Sequence, residues 1–261
     1  MVSPGSGKRE TSTASGAMRL DELLVERRHF TSRSRARDAV MRGAVKVSGV
    51  TAAKPGQAVA AGALIEVDDP AAAYVSRAAL KLIAGLDHYA IDPRGATALD
   101  IGASTGGFTQ VLLERGAAKV FAVDVGHGQM DETLRADKRV FCIERLNARN
   151  LTMADLQGEA PGVIVSDVSF ISLKLALPPA LALARAGAHC VLLVKPQFEA
   201  GRDAIGKGGI LKNASDGPTI AEDLAGWLSG QPGWRAVGFT PSPISGGDGN
   251  QEFLLSGVKD R

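Results

Sequence analysis

Asp100-Ile-Gly-Ala-Ser-Thr-Gly-Gly-Phe108 carries the residue types that a nucleoside-binding turn needs. An apolar run climbs through Ala98 and Leu99 to Asp100. Gly102, Ala103, Ser104, Thr105, Gly106 and Gly107 follow, and a helical pattern begins at Phe108. Glycines let the backbone approach a ligand, and a helix N-terminus offers free N–H groups. Roughly twenty residues further on, Val120-Phe-Ala-Val-Asp124 ends in an acid, which suits the two hydroxyls of a ribose. Asn147, in the segment after the next apolar run, is a candidate adenine contact.

The loop discriminates between cofactors. A dinucleotide fingerprint reads G-x-G-x-x-G, and its second glycine would fall at Ser104. An acid before the first glycine, here Asp100, suits a cationic amino-acid moiety, so the pattern favours S-adenosylmethionine. A plain structural turn is the bland alternative.

Three further residues sit where parallel sheets do chemistry, at the carboxyl ends of strands. Asp167 closes the apolar run beginning at Gly162, and Lys195 leaves the wholly apolar run Cys190–Val194. Glu252 is delivered by the turn-rich loop Ser242–Gln251. Lys81 lies on a helix ahead of the sheet; on its own, such a lysine reads as a solvated side chain. Pro196-Gln-Phe-Glu199 and the glycine-rich run Gly201–Gly209 read as a mobile loop, a candidate lid or substrate clamp.

These residues need an alternating scaffold. Strands are expected at Thr97–Ile101, Lys119–Val123, Val140–Glu144, Gly162–Asp167 and Cys190–Lys195. Helices are expected from Tyr74 (capped by Ser76), from Phe108, after His127–Met130, over Leu173–Arg185 with a kink at Pro178-Pro179, and over Thr219–Ser229. Trp234–Phe239 and Glu252–Gly257 close the sheet. The order predicts a mainly parallel, Rossmann-like sheet with an antiparallel ending.

Residues 1–17 read as a disordered tail, 18–67 as a small domain, 68–74 as a linker marked by Pro70, and 75–261 as the large domain. The small domain should hold helices from Leu20 and over Ser34–Met41, then strands at Val45–Val50 and Leu64–Asp68. Between Arg27 and Lys46 there are seven basic residues against one acid, Asp38. So dense a cluster favours contact with a phosphate backbone over a merely solvated face.

Composition narrows the classes. The net charge is only +2, so any nucleic-acid surface must be local. There is no membrane-spanning apolar run and no signal-peptide core, which points to a cytoplasmic protein. Cys142 and Cys190 read as two buried reduced thiols. The four histidines lack ligand spacing, so no metal is expected. Oligomeric state is left open.

Arg19-Leu-Asp-Glu-Leu-Leu-Val, Ser32-Arg-Ser-Arg-Ala-Arg-Asp-Ala-Val and Gly43-Ala-Val-Lys-Val-Ser-Gly resemble the S4 RNA-binding domain. Tyr74-Val-Ser-Arg, the Gly102–Thr109 loop, Val123-Asp-Val-Gly, Ser166-Asp-Val-Ser-Phe-Ile-Ser and Val194-Lys-Pro-Gln-Phe-Glu resemble the TlyA, or haemolysin A, family of rRNA methyltransferases. That resemblance implies an α+β S4 domain joined to an FtsJ/RrmJ-like class I methyltransferase with a seven-stranded sheet. It implies 2′-O-methylation of cytidine in ribosomal RNA within ribosomal subunits, with S-adenosylmethionine as donor. The Lys-Asp-Lys-Glu tetrad of ribose methyltransferases maps onto Lys81, Asp167, Lys195 and Glu252. RNA contacts are then expected from Arg19, Arg33, Arg35, Arg37, Arg42, Lys46 and Arg77. Two departures fall near the expected cofactor edge: His127 stands where the family pattern leads one to expect an aromatic such as Tyr, and Asp131-Glu132 where the pair is often apolar or aromatic.

Rival readings are a non-catalytic RNA-binding or assembly factor, a dehydrogenase and a membrane-lytic protein. The loop argues against the dehydrogenase, and the absence of a spanning or strongly amphipathic basic stretch against the lytic reading.

Overall fold

A computed structural model describes residues 16–261, and the chain divides into two compact units after Ala72. Most of the expected tail therefore lies outside the described residues. Of its last two positions, Ala17 already belongs to a strand.

The first unit contains β1 (Ala17–Arg19), α1 (Leu20–Glu26), α2 (Arg33–Met41), β2 (Val45–Val47), β3 (Val50–Thr51), β4 (Ala58–Ala60) and β5 (Ile65–Val67). Both helices form where apolar spacing predicts them. Ser32 caps α2 by accepting a hydrogen bond from the Arg35 amide at 3.3 Å. Leu20, Leu23, Leu24, Ala36, Ala39 and Val40 bury one helical face each against Val45 and Val59. β3, β2 and β5 form one antiparallel sheet. β1 and β4 pair separately; neither was expected, because three residues are too few to show alternation.

The second unit contains α3 (Ala79–His88), β6 (Thr97–Ile101), α4 (Gly107–Glu114), β7 (Lys119–Val123), α5 (Glu132–Arg135), β8 (Val140–Ile143), β9 (Val163–Ser166), α6 (Leu173–Ala176), α7 (Pro178–Leu183), β10 (His189–Val194), α8 (Pro196–Glu199), α9 (Asp216–Ser229), β11 (Trp234–Pro241) and β12 (Phe253–Lys259). Its seven strands run in the order β11-β12-β10-β9-β6-β7-β8. Six run in one direction, five of them paired in parallel, and β12 lies antiparallel between β10 and β11. β11 bulges between Ala236 and Gly238 at the edge of the sheet, leaving Val237 exposed.

Three expected helices are corrected. The segment from Tyr74 turns before it becomes helical at Ala79, with Ser76 Oγ accepting from the Ala78 amide at 3.2 Å. The Pro178-Pro179 pair splits the expected Leu173–Arg185 helix into α6 and α7. The helix after Met130 shrinks to the single turn of α5. Cys190 is buried but Cys142 only half so, and both are free thiols.

Strand alternation gives the sheet two cores. Leu99, Ile101, Phe121, Val123, Leu192 and Val194 face α6, α7 and α9. Ala98, Val120, Ala122, Val165, Val191 and Leu193 face α3 and α4. Gly85 lets α3 settle onto β10: a Cβ there would stand 2.7 Å from Val191 Cγ1. Lys259 ends β12 by donating to the carbonyls of Leu181, Ala182 and Ala184, which α7 leaves unpaired.

Candidate active site

The loop between β6 and α4 is built from its glycines outward. Gly102 has φ +86°, and a Cβ there would lie 2.9 Å from the Asp167 carbonyl oxygen. Neither the dihedral nor the space admits a larger residue. Ser104 also has a positive φ, of 48°. Its amide donates to Asp124 Oδ2 at 2.8 Å, while Gly126 N donates to Asp124 Oδ1 at 2.6 Å. Asp124 thus joins the loops after β6 and β7 and keeps unused lone pairs towards the cavity.

That cavity encloses about 490 Å³. Gly102, Ser104, Asp124, Gln129, Asn147 and Asp167 supply polar lining, while Val125, Leu146, Val168 and Ile171 supply apolar walls. A second space of about 160 Å³ shares Gly102, Ser104, Asp167 and Ser169 with it. Ser76, Ala78, Ala103, Thr105, Gly107, Phe108 and Lys195 complete that second wall. Gly106 lines neither space. It turns the chain into α4 with φ +97° and packs against Leu134.

Asp100 lines neither space either, and its expected direct approach to a ligand is corrected. Alternation along β6 turns it towards α4, where it is fully buried and accepts from Thr109 Oγ1 at 2.7 Å. Its Oδ1 has no hydrogen-bond partner. Burial pushes its pKa up to about 7, the Thr109 hydrogen bond opposes this, and Asp167 and Asp124 add repulsion.

Lys81, Asp167, Lys195 and Glu252 come together. Val194 pairs with Phe253 across β10 and β12, so Lys195 and Glu252 leave neighbouring strands side by side. Asp167 leaves β9 on the other flank of β10. Lys195 Nζ lies 2.6 Å from Asp167 Oδ1 as an ion pair without a directed hydrogen bond, and donates to Ser169 Oγ at 2.7 Å. Lys81, one helical turn before Gly85, reaches from α3 to ion-pair with Glu252, and both are buried. Burial raises the Glu252 pKa against the attraction of Lys81 and then of Lys195, with Asp167 also in range. Each lysine has its own carboxylate partner.

Sequence reasoning missed Gln129, whose Oε1 accepts from Ser104 Oγ at 3.2 Å across the cavity mouth. It also missed Phe170, which is 90% exposed with φ +65° and lies 5.0 Å from Phe198, centroid to centroid. A bulky residue in that region of φ is strained. The segment Ser166–Ser172 resembles the family, but nothing in its residue types announces the strain.

The expected RNA contacts are distributed over both units. Arg19, Arg33 and Arg37 gather at Asp21, and Arg42 pairs with Asp69 at 2.8 Å. Arg35 donates to the Ala71 carbonyl at 3.4 Å, and Lys46 is exposed on β2. Arg77 belongs to the second unit, beside Gly247. Among the described residues no His/Cys/Asp/Glu group is placed to hold a metal, and no helix is long and apolar enough to cross a membrane.

This sheet order, with a glycine turn after β6 and an acid after β7, defines a Rossmann-like methyltransferase class. A family model described as FtsJ-like methyltransferase matches residues 74–259, and one described as S4 domain matches residues 18–65. The 16S/23S rRNA (cytidine-2′-O)-methyltransferase TlyA of Mycobacterium tuberculosis is 43% identical over 91% of this chain and 88% of its own. Hemolysin A of Brachyspira hyodysenteriae is 40% identical over 91% of this chain and 98% of its own. A solved structure from Streptococcus thermophilus, also named among the hemolysins, aligns with TM-score 0.72 and 39% identity over 94% of this chain and 90% of its own. The chain belongs to the TlyA family of FtsJ-like methyltransferases with an N-terminal S4 domain.

Proposed function

We propose that this enzyme transfers a methyl group from S-adenosylmethionine to the ribose 2′-hydroxyl of a cytidine in ribosomal RNA presented on a ribosomal subunit. The observation that carries this reading is the convergence of two lysine–carboxylate pairs at the strand ends, beside a nucleoside-sized cavity. The residues suit the donor: Asp124 for ribose hydroxyls, Asn147 with the apolar wall for adenine, and the Gly102–Phe108 turn for the amino-acid end. The orphaned Oδ1 of Asp100 lies behind that turn. Bound there, S-adenosylmethionine supplies a methyl carbon on a positively charged sulfur, open to in-line displacement.

The protein's part is to hold a weak nucleophile in line and remove its proton. Lys195, ion-paired with Asp167, must first release a proton to solvent; it then accepts the 2′-hydroxyl proton as that oxygen takes the methyl group, and Asp167 holds the regenerated ammonium. Ser169 fixes the direction of Nζ. Lys81 and Glu252, closed on each other in the interior within electrostatic reach of Lys195, steady that lysine and through it the ribose. The N-terminal S4 domain holds folded RNA through its basic side chains, and a ribosomal substrate places the enzyme in the cytoplasm.

The test uses isolated 30S and 50S subunits, naked rRNA and assembled ribosomes with labelled donor, followed by mapping of the modified ribose. Lys195→Ala should bind the donor normally and methylate about a thousandfold more slowly. Near-normal methylation by a folded Lys195→Ala variant would refute the central role. Binding of subunits without any methyl transfer would favour an assembly factor instead.

A further inference from the structure

Asp21 is fully buried on the first turn of α1, yet three guanidinium groups close on it. Arg19 approaches Oδ1 with Nε at 3.1 Å and Oδ2 with a terminal nitrogen at 3.2 Å. Arg33 donates to Oδ2 at 3.1 Å, and Arg37 stands 3.8 Å from the same oxygen. Arg33 also pairs with Glu22 at 3.0 Å, and Arg19 lies 3.9 Å from it. The arginine side chains are 45%, 51% and 57% exposed, against 0% for Asp21.

Burial works against charge on Asp21, but hydrogen bonds from Arg19 and Arg33 hold its carboxyl below the usual carboxylate range. The acid is therefore ionised. Each guanidinium carries five N–H donors; Arg19 spends two on Asp21 and Arg33 one, while Arg37 is held by charge at 3.8 Å. A second feature serves the same placement. Gly56 faces Arg19 so closely that a Cβ would lie 2.8 Å from both terminal nitrogens. The glycine leaves space for the guanidinium and not for another side chain.

We propose that Asp21 is a positioning residue for RNA binding: it gathers Arg19, Arg33 and Arg37 into one preformed array whose outward N–H groups grip the phosphate backbone of folded ribosomal RNA. This rests on the reading that the S4 domain is an RNA-binding face. The physical gain is preorganisation. Three long, flexible side chains held in place before contact lose less freedom on binding than three loose ones. The cost is an acid in a basic surface, which on charge alone would weaken affinity for RNA.

That conflict gives opposite signs for the same change in charge. The full-length protein is titrated with purified 50S subunits and with deproteinised 23S rRNA at several salt concentrations. Asp21→Asn adds one unit of net positive charge, yet should bind about tenfold more weakly. Glu26→Gln, an exposed site on the same helix outside the array, adds the same charge and should bind equally or slightly more tightly. Gly56→Ala alters no charge and displaces only the end of Arg19; it should weaken binding about threefold with an unchanged melting temperature. It decides the matter if Asp21→Asn fails to fold. If Arg33→Ala/Arg37→Ala binds like wild type, the RNA-face reading itself fails. If that double variant binds weakly while Asp21→Asn binds more tightly, or Gly56→Ala binds unchanged, the proposed role of Asp21 alone is overturned.

Discussion

Asp100 is a carboxyl group carried into an apolar interior by strand alternation. In the fold its pKa is about 7, against 3.8 as a free side chain. The folded state therefore binds a proton that the unfolded state has already released between these values. Stability from this group is present at low pH and is lost as pH rises from about 4 through about 7. Asp100→Asn removes that dependence. The variant should melt about 4 °C or more above wild type at pH 8, by a smaller margin at pH 5, and close to it only below about pH 4, as scanning calorimetry of the ligand-free protein would show. The residue type was legible as part of the site, but its direction was not. Alternation pointed it away from the loop it precedes, and Thr109 was waiting on the next helix. Lys81 was the reverse case. Its burial against Glu252 was hidden from residue type alone because a lysine on a helix is ordinarily solvated; the available signal was Gly85 four residues on, marking the face pressed against β10.

At the scale of elements, the strands Thr97–Ile101 and Lys119–Val123 fall where their apolar runs place them, because buried parallel strands are written continuously. The loops that carry chemistry were harder to read. The glycine-rich run Gly201–Gly209 reads as a mobile lid, yet Asn250 pins its far end. This nearly buried side chain accepts from Leu211 N and donates to Gly209 O, each at 2.9 Å. Gln197 makes a second tie, to Asp248 at 3.0 Å. The loop that holds Asp248 and Asn250 also delivers Glu252 to the sheet rim. Asn250→Ala should therefore release both loops together. Hydrogen exchange at the Leu211 amide should quicken about tenfold, and methyl transfer should fall while donor affinity holds. Exchange confined to Gly201–Leu211 with normal turnover would show the two loops to be uncoupled.

At the scale of the molecule, two units with separate cores share one chain. The second closes its sheet and its candidate site with its own residues. A fragment spanning 73–261 should melt cooperatively and bind S-adenosylmethionine. It should methylate subunits at least about a hundredfold less efficiently, because the tether that raises the local concentration of RNA is gone. Equal activity would make the S4 domain dispensable. The edge of that sheet carries a different lesson. A flat terminal strand offers its unpaired amides and carbonyls to any passing chain, and the kink at Val237 spoils that template. That edge is thereby a poor template for a second chain, and removing the bulge by deleting Val237 should make concentrated preparations turn cloudy sooner than wild type.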